Sequence, residues 1–192
     1  MTPAQRAALI QRYQDGPGIL EAALVKVPSE ALKFRPAPGK WTVHEVIIHC
    51  ADSETNSHMR IRYLLGEDDA LIVGYDQDRW ANVLGYHDLP LEPALATVRA
   101  VRANTVPLLR RLTEQQWNRT GRHTEHPSYG VEQWLQIYGE HLEIHARQIQ
   151  RNPCRRFRGV TVRRRWRLIE RQLQLDAVPR QRRYIQRFEV GR

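Results

Sequence analysis

Only two cysteines, Cys50 and Cys154, occur among the 192 residues, too few for a disulfide framework and spaced like no zinc knuckle or redox pair. The chain must hold together by burying a core, and its length suffices for one domain without covalent staples. No stretch approaches the ~18 uninterrupted apolar residues of a membrane span, and Met1-Thr2-Pro3-Ala4-Gln5-Arg6 carries no signal-like hydrophobic core. A soluble, cytoplasmic protein with no membrane partner is expected. Internal repeats and sustained strand alternation are also lacking, which leaves helices as the building material.

Acidic residues become scarce where arginine accumulates. Residues 1–150 hold 16 Lys or Arg and 18 Asp or Glu, a balance of −2, while residues 151–192 hold 14 Arg, no Lys and 3 acids, a balance of +11. The net charge of +9 therefore belongs to the tail, and only the tail's own field can steer a polyanion toward it. The expected organisation is a body over residues 1–152 and an Arg-rich C-terminal extension over residues 153–192.

What the body does have is helical spacing. Residues 4–25 are rich in Ala, Leu, Gln, Arg and Glu, and Asp15-Gly16-Pro17-Gly18 should bend or split that helix. Thr42-Val43-His44-Glu45 has the spacing of a capping box and should open a second helix reaching about residue 65. A long mixed connection through Tyr75, Trp80 and Tyr86 follows and could cover a site. A third helix is predicted over residues 91–112, with Pro107 as a kink. Residues 117–129 are polar and turn-rich. A fourth helix over residues 131–150 places Trp134, Tyr138, His141, His145 and Ile149 along one face. The economical architecture is all-α, an antiparallel four-helix bundle.

Three histidines carry the chemistry. His141 and His145 are four residues apart, so both can present ring nitrogens to one point. His49 lies on the second helix, where the apolar run Val46-Ile47-Ile48 gives way to Asp52, Ser53 and Asn56. Three imidazoles can bind a divalent metal and leave a coordination position open for water or substrate. The other reading is that each is a core histidine satisfied by a neighbour. Leu142 stands where a metalloprotease HExxH motif has its glutamate, so no built-in general base accompanies the pair. Asp52, one turn beyond His49, is either a partner orienting an imidazole or water, or a solvated carboxylate. Trp41 and Tyr138 either line a pocket or pack in the core. Glu140, Glu143 and His44 read as surface residues and Cys50 as a buried thiol, while His123 and His126 precede the last helix, with a place at the site mouth the less favoured reading.

The segment from Phe34-Arg35-Pro36-Ala37-Pro38-Gly39-Lys40-Trp41-Thr42 through His49-Cys50-Ala51-Asp52-Ser53-Glu54, together with His141-Leu142-Glu143-Ile144-His145-Ala146-Arg147-Gln148-Ile149, resembles the DinB and YfiT-like superfamily of metalloenzymes. Asp15-Gly16-Pro17, Leu108-Leu109-Arg110-Arg111-Leu112 and Trp117 extend the likeness to roughly residues 5–151. The resemblance implies a four-helix bundle, assembled as a homodimer, with one divalent ion (nickel, zinc or a similar metal) on His49, His141 and His145. It implies a metal-dependent enzyme acting on a small molecule, either a thiol transferase using a low-molecular-weight thiol or a hydrolase. A noncatalytic, stress-related metal-binding protein is the alternative.

The tail departs from that family pattern. Arg155-Arg156-Phe157-Arg158, Arg163-Arg164-Arg165-Trp166-Arg167 and Arg180-Gln181-Arg182-Arg183 interleave arginine with aromatics, a composition that could bind nucleic acid through phosphate contacts and stacking. A disordered extension and a shift of reading frame near residue 152 are the competing accounts, while residues 166–173 have the spacing of a short amphipathic helix.

Overall fold

A computed structural model of the chain describes residues 1–152; the expectations for the Arg-rich extension lie outside the described residues. Four long helices form the frame: α1 (Pro3–Leu24), α2 (Val43–Gly66), α4 (Leu91–Arg110) and α6 (Val131–Arg151). Between them stand a 3-10 turn (Ser29–Ala31), the short helices α3 (Gln77–Val83) and α5 (Glu114–Trp117), and three strands, β1 (Leu71–Ile72), β2 (Thr120–His123) and β3 (Tyr129–Gly130). No helix among the described residues is long and apolar enough to cross a membrane.

Local chemistry sets the helix starts. Thr42 accepts from the Glu45 backbone N–H while the Glu45 carboxylate accepts from the Thr42 N–H, the reciprocal pair expected from the sequence. Thr2 with Gln5 and Thr113 with Gln116 start α1 and α5 in the same way. Residues 15–18 do not split the helix: α1 continues through Pro17. Proline has no N–H to donate to the carbonyl four residues earlier, here that of Tyr13. Arg102 Nη1 fills the vacancy from α4, 2.5 Å from the Tyr13 oxygen. Pro107 is likewise carried inside α4.

The helices form a four-helix bundle as expected, with antiparallel packing across two of its neighbouring pairs, α1/α4 and α2/α6. Arg99 meets Glu21 and Arg110 meets Gln14 on the first pair, and Trp134 Nε1 donates to the Ser57 carbonyl on the second. The other two neighbouring pairs run parallel. Arg6 meets Glu132 and Arg12 meets Glu143 between α1 and α6, while Glu54 meets Arg102 and His58 meets Thr105 between α2 and α4. Two parallel consecutive helices need a return crossover, and residues 67–90 supply it along the flank of the bundle. This is why the connection is long.

The strands escaped sequence reading because pieces of two to four residues cannot display an alternation. β1 pairs parallel to β2, Leu71 opposite Arg122, and β2 pairs antiparallel to β3, Thr120 opposite Gly130. Gly121 permits the approach: a Cβ there would lie 2.7 Å from the Ala70 carbonyl oxygen.

The core is divided into two apolar clusters. One gathers Leu20, Ala23, Val43, Ile47, Val98 and Ile149; the other gathers Tyr13, Ile61, Leu64, Leu109, Trp134 and Leu135. On every long helix a different kind of residue separates the two: Gly16, Glu54, Arg102 and His141. Glu54 and Arg102 form an ion pair of 2.7 Å with side chains 0% and 1% exposed. The Arg102 guanidinium also lies 4.1 Å from the centre of the Tyr13 ring.

A methyl group at Gly16 would sit 2.3 Å from Arg102 Nη1 and 3.1 Å from Leu142 Cβ. Because Arg102 is pinned on several sides, Gly16→Ala should destabilise the fold by about 1–3 kcal/mol. Urea unfolding at unchanged m-value measures this, and a midpoint at or above that of the parent would contradict the packing described.

Candidate metal centre

His49, near the start of α2, and His141 and His145, in the second half of α6, come together because those helices run antiparallel. One nitrogen from each ring lies within 4.8 Å of the others. The rings stand edge to face, with centroids 4.9 Å apart for His49 and His145, 5.8 Å for His49 and His141, and 4.6 Å for His141 and His145. The three histidines singled out in the sequence are therefore brought together in space.

Hydrogen bonding orients the two α6 rings. His141 Nδ1 lies 2.9 Å from Glu54 Oε1, and His145 Nδ1 lies 2.7 Å from Gln148 Oε1. The Glu54 carboxylate can only accept, so His141 Nδ1 carries the proton and its Nε2 keeps a lone pair; the Gln148 amide, with its oxygen toward His145, favours the same tautomer there. Those two Nε2 atoms face one another at 3.1 Å, and with both rings protonated at Nδ1 no proton lies between them. His49 Nδ1 is buried without a hydrogen-bond partner among the described residues. A divalent cation removes both anomalies, since imidazole nitrogens bound to one ion at ~2.0–2.1 Å each approach one another this closely.

Charge states agree. Burial pushes the His49 imidazolium far below its ordinary value, helped by His145 and His141. Burial and the His141 charge likewise depress His145, to about 3, against the opposing bond to Gln148. Both rings are neutral at pH 7, as ligation requires. Glu54 remains ionised in spite of burial, which opposes its charge; the Arg102 charge and hydrogen bonds from His141 and Arg102 hold its carboxyl at about 2.

The crossover packs against α2 beside Asp52, one turn beyond His49. The Tyr86 hydroxyl donates to Asp52 Oδ2 at 2.5 Å, and Tyr75 packs against Trp80 with ring centroids 4.3 Å apart and planes tilted by 37°. Ser53 Oγ lies 3.3 Å from His141 Nε2. The Trp41 ring packs 4.7 Å from that of His49. Tyr138 is both core and wall: 3% exposed, it lies 5.6 Å from His141 and accepts from Arg60 at 3.0 Å.

Several assignments from sequence change. Asp52 holds Tyr86, and the carboxylate that orients an imidazole is Glu54, one turn from Ser57 and deeper in the bundle. Glu54 sits within the stretch carrying the family likeness, but nothing local distinguishes it from a solvated helix glutamate; its partner Arg102 is 48 residues away. Glu140 and Glu143 are both clamped by Arg12 of α1. His44 is buried, its Nε2 2.7 Å from the Leu89 carbonyl oxygen of the crossover. Cys50 is the buried thiol expected. His123, at the end of β2, forms with Glu125 and His126 of the following connection a separate group of donor atoms. There His123 Nδ1 accepts the Glu125 backbone N–H at 3.0 Å, a bond that occupies its lone pair.

Comparison with known proteins places these features in a family context. The family model of the DinB superfamily matches residues 12–149. A protein of Oceanobacillus iheyensis named "Putative metal-dependent hydrolase" is 31% identical over 147 residues, covering 77% of this chain and 84% of that protein. YfiT of Bacillus subtilis, which carries the same description, is 29% identical over 146 residues, covering 76% and 82%. Its solved structure, described as "a probable metal-dependent hydrolase with an unusual four-helix bundle topology", superposes with a TM-score of 0.74 at 27% identity, covering 79% of this chain and 87% of that one.

Elemental analysis of protein purified without a metal-affinity tag should find about one divalent ion per chain. His49→Ala, His141→Ala and His145→Ala should each abolish retention, and an excess of metal at ~100 times its dissociation constant should stabilise the parent by about 2.7 kcal/mol. Equal retention in all three variants would refute the triad.

Proposed function

This chain belongs to the DinB superfamily, and we propose from that premise that it is a metal-dependent hydrolase of a small molecule, with a divalent ion on His49, His141 and His145. The observation that carries this reading is the pair of Nε2 lone pairs facing each other at 3.1 Å beside the orphaned His49. With both rings protonated at Nδ1, such an arrangement is repulsive unless a cation lies within it. A bound divalent ion would act as a Lewis acid, making water nucleophilic near neutral pH and polarising the bond to be broken.

The chain's own residues supply the rest. The triad provides three ligands, fewer than the four of a closed structural site, so solvent or substrate has a place to enter. Asp52 is half-buried on the same face of α2, and the Tyr86 hydroxyl fixes its Oδ2. In our reading the Asp52 carboxylate accepts the proton that water gives up, and Tyr86 holds it in place. Ser53 Oγ, at 3.3 Å from His141 Nε2, offers a hydroxyl to a polar group of the substrate. Trp41, Tyr75 and Trp80 supply apolar surface that favours a small, partly hydrophobic substrate over a long polymer. The names of the relatives support hydrolysis over thiol transfer.

The test is a panel of small esters, amides and lactones, together with acceptors for low-molecular-weight thiols, assayed on protein loaded with zinc or nickel. Hydrolysis that disappears on chelation and returns with metal is expected. Asp52→Asn should lower kcat by roughly 10²–10⁴-fold while metal content stays at one ion per chain. Thiol transfer without hydrolysis would contradict the proposal, and full activity in Asp52→Asn would remove that residue from the chemistry.

A further inference from the structure

We infer that Glu54 and Arg102 are positioning residues of the metal centre: their buried ion pair fixes His141 in the Nδ1–H tautomer and so reserves its Nε2 lone pair for the cation. The inference rests on the metal-binding reading above and extends it to residues that touch no metal, one of them, Arg102, on a helix that contributes no ligand.

The geometry leaves Glu54 one role. Arg102 Nη2 donates to Oε1 at 2.7 Å and Arg102 Nε donates to Oε2 at 2.9 Å. The remaining contact of Oε1 is His141 Nδ1 at 2.9 Å. A carboxylate gripped at both oxygens by a guanidinium can only accept, so the ring must donate from Nδ1. Gln148 holds His145 less one-sidedly, because an amide can turn to present either its oxygen or its NH2 group. The tautomer of His141 is thus imposed, whereas that of His145 can adjust.

Arg102 is itself held against rotation. Nη1 donates to the Tyr13 carbonyl at 2.5 Å and Nη2 to the Tyr138 carbonyl at 2.9 Å, the latter one turn before His141 on α6. The seat on α1 depends on two neighbouring residues. Pro17 offers no N–H to the Tyr13 carbonyl, leaving that oxygen for Arg102, and Gly16 has no Cβ to collide with Nη1. Asp15-Gly16-Pro17, which in sequence looks like a helix break, is in the structure the socket for the residue that orients the ligand.

Glu54→Gln tests this with little change of shape. If Arg102 keeps the amide oxygen, the NH2 group faces His141 Nδ1, which must then accept, and the proton moves to Nε2. Imidazole proton–nitrogen correlation spectra of the metal-free proteins should show His141 protonated at Nδ1 in the parent and at Nε2 in the variant. Zinc affinity, measured by chelator competition, should fall roughly 10–100-fold, the usual effect of removing a partner that orients a ligand. Arg102→Lys, which keeps the charge but drops the two-pronged grip, should lower zinc affinity without removing the ion pair. Parent protein with His141 protonated at Nε2 overturns the inference without recourse to any variant, as does a folded Glu54→Gln that binds zinc like the parent. If the parent binds no zinc at all, the metal-binding reading fails, and this inference fails with it.

Discussion

A single buried ion pair organises the molecule. Glu54 and Arg102 are almost wholly excluded from solvent, and withdrawing two charges from water carries a large desolvation cost that the pair offsets only if every remaining donor and acceptor is matched. They are matched here by His141 and by the carbonyls of Tyr13 and Tyr138. Each of the four long helices therefore has a fixed address at this level: Gly16 and Pro17 on α1, Glu54 on α2, Arg102 on α4 and Tyr138 with His141 on α6. Losing one partner of such a pair typically costs about 3–5 kcal/mol, which makes register errors between these helices expensive. Two apolar clusters supply stability above and below, and the polar layer between them supplies alignment.

That alignment is what a three-ligand site needs. His49 and the α6 pair come from helices that meet antiparallel, and a slide of one helical turn would carry the rings past one another. The crossover of residues 67–90, made necessary by the parallel run of α2 and α4, then brings Tyr75, Trp80 and Tyr86 against the flank where Asp52 and Ser53 lie. Topology and function are linked by this piece of chain: the connection that lets the helices pack also walls the site. The β-strands tie the start of this crossover, through β1, to the connection between α4 and α6.

What could be read from the sequence was local or periodic. The Thr42–Glu45 cap, the extents of α2, α4 and α6, and the His141/His145 pair follow from spacings of three and four residues. His49 joined them through an apolar run that turns polar. Non-local partners were beyond reach. Glu54 looks like any helix glutamate until Arg102 arrives from 48 residues away, and Glu140 and Glu143 look solvated until Arg12 crosses from α1. His44 is buried because Leu89 folds back over it, and no periodicity within α2 announces that. Proline misled for a related reason: its effect on a helix depends on what else can satisfy the orphaned carbonyl, and that donor belongs to another helix.

The DinB-like bundle is thus a frame in which a structural ion pair and a ligand set share one histidine. The central claim is that His49, His141 and His145 converge on one divalent cation. Anomalous diffraction from crystals of protein grown with zinc, recorded on either side of the metal absorption edge, tests it most directly. The account predicts one strong peak within bonding distance of all three imidazoles and none at His123 and His126. Full occupancy at the second histidine group with no peak at the triad would contradict it.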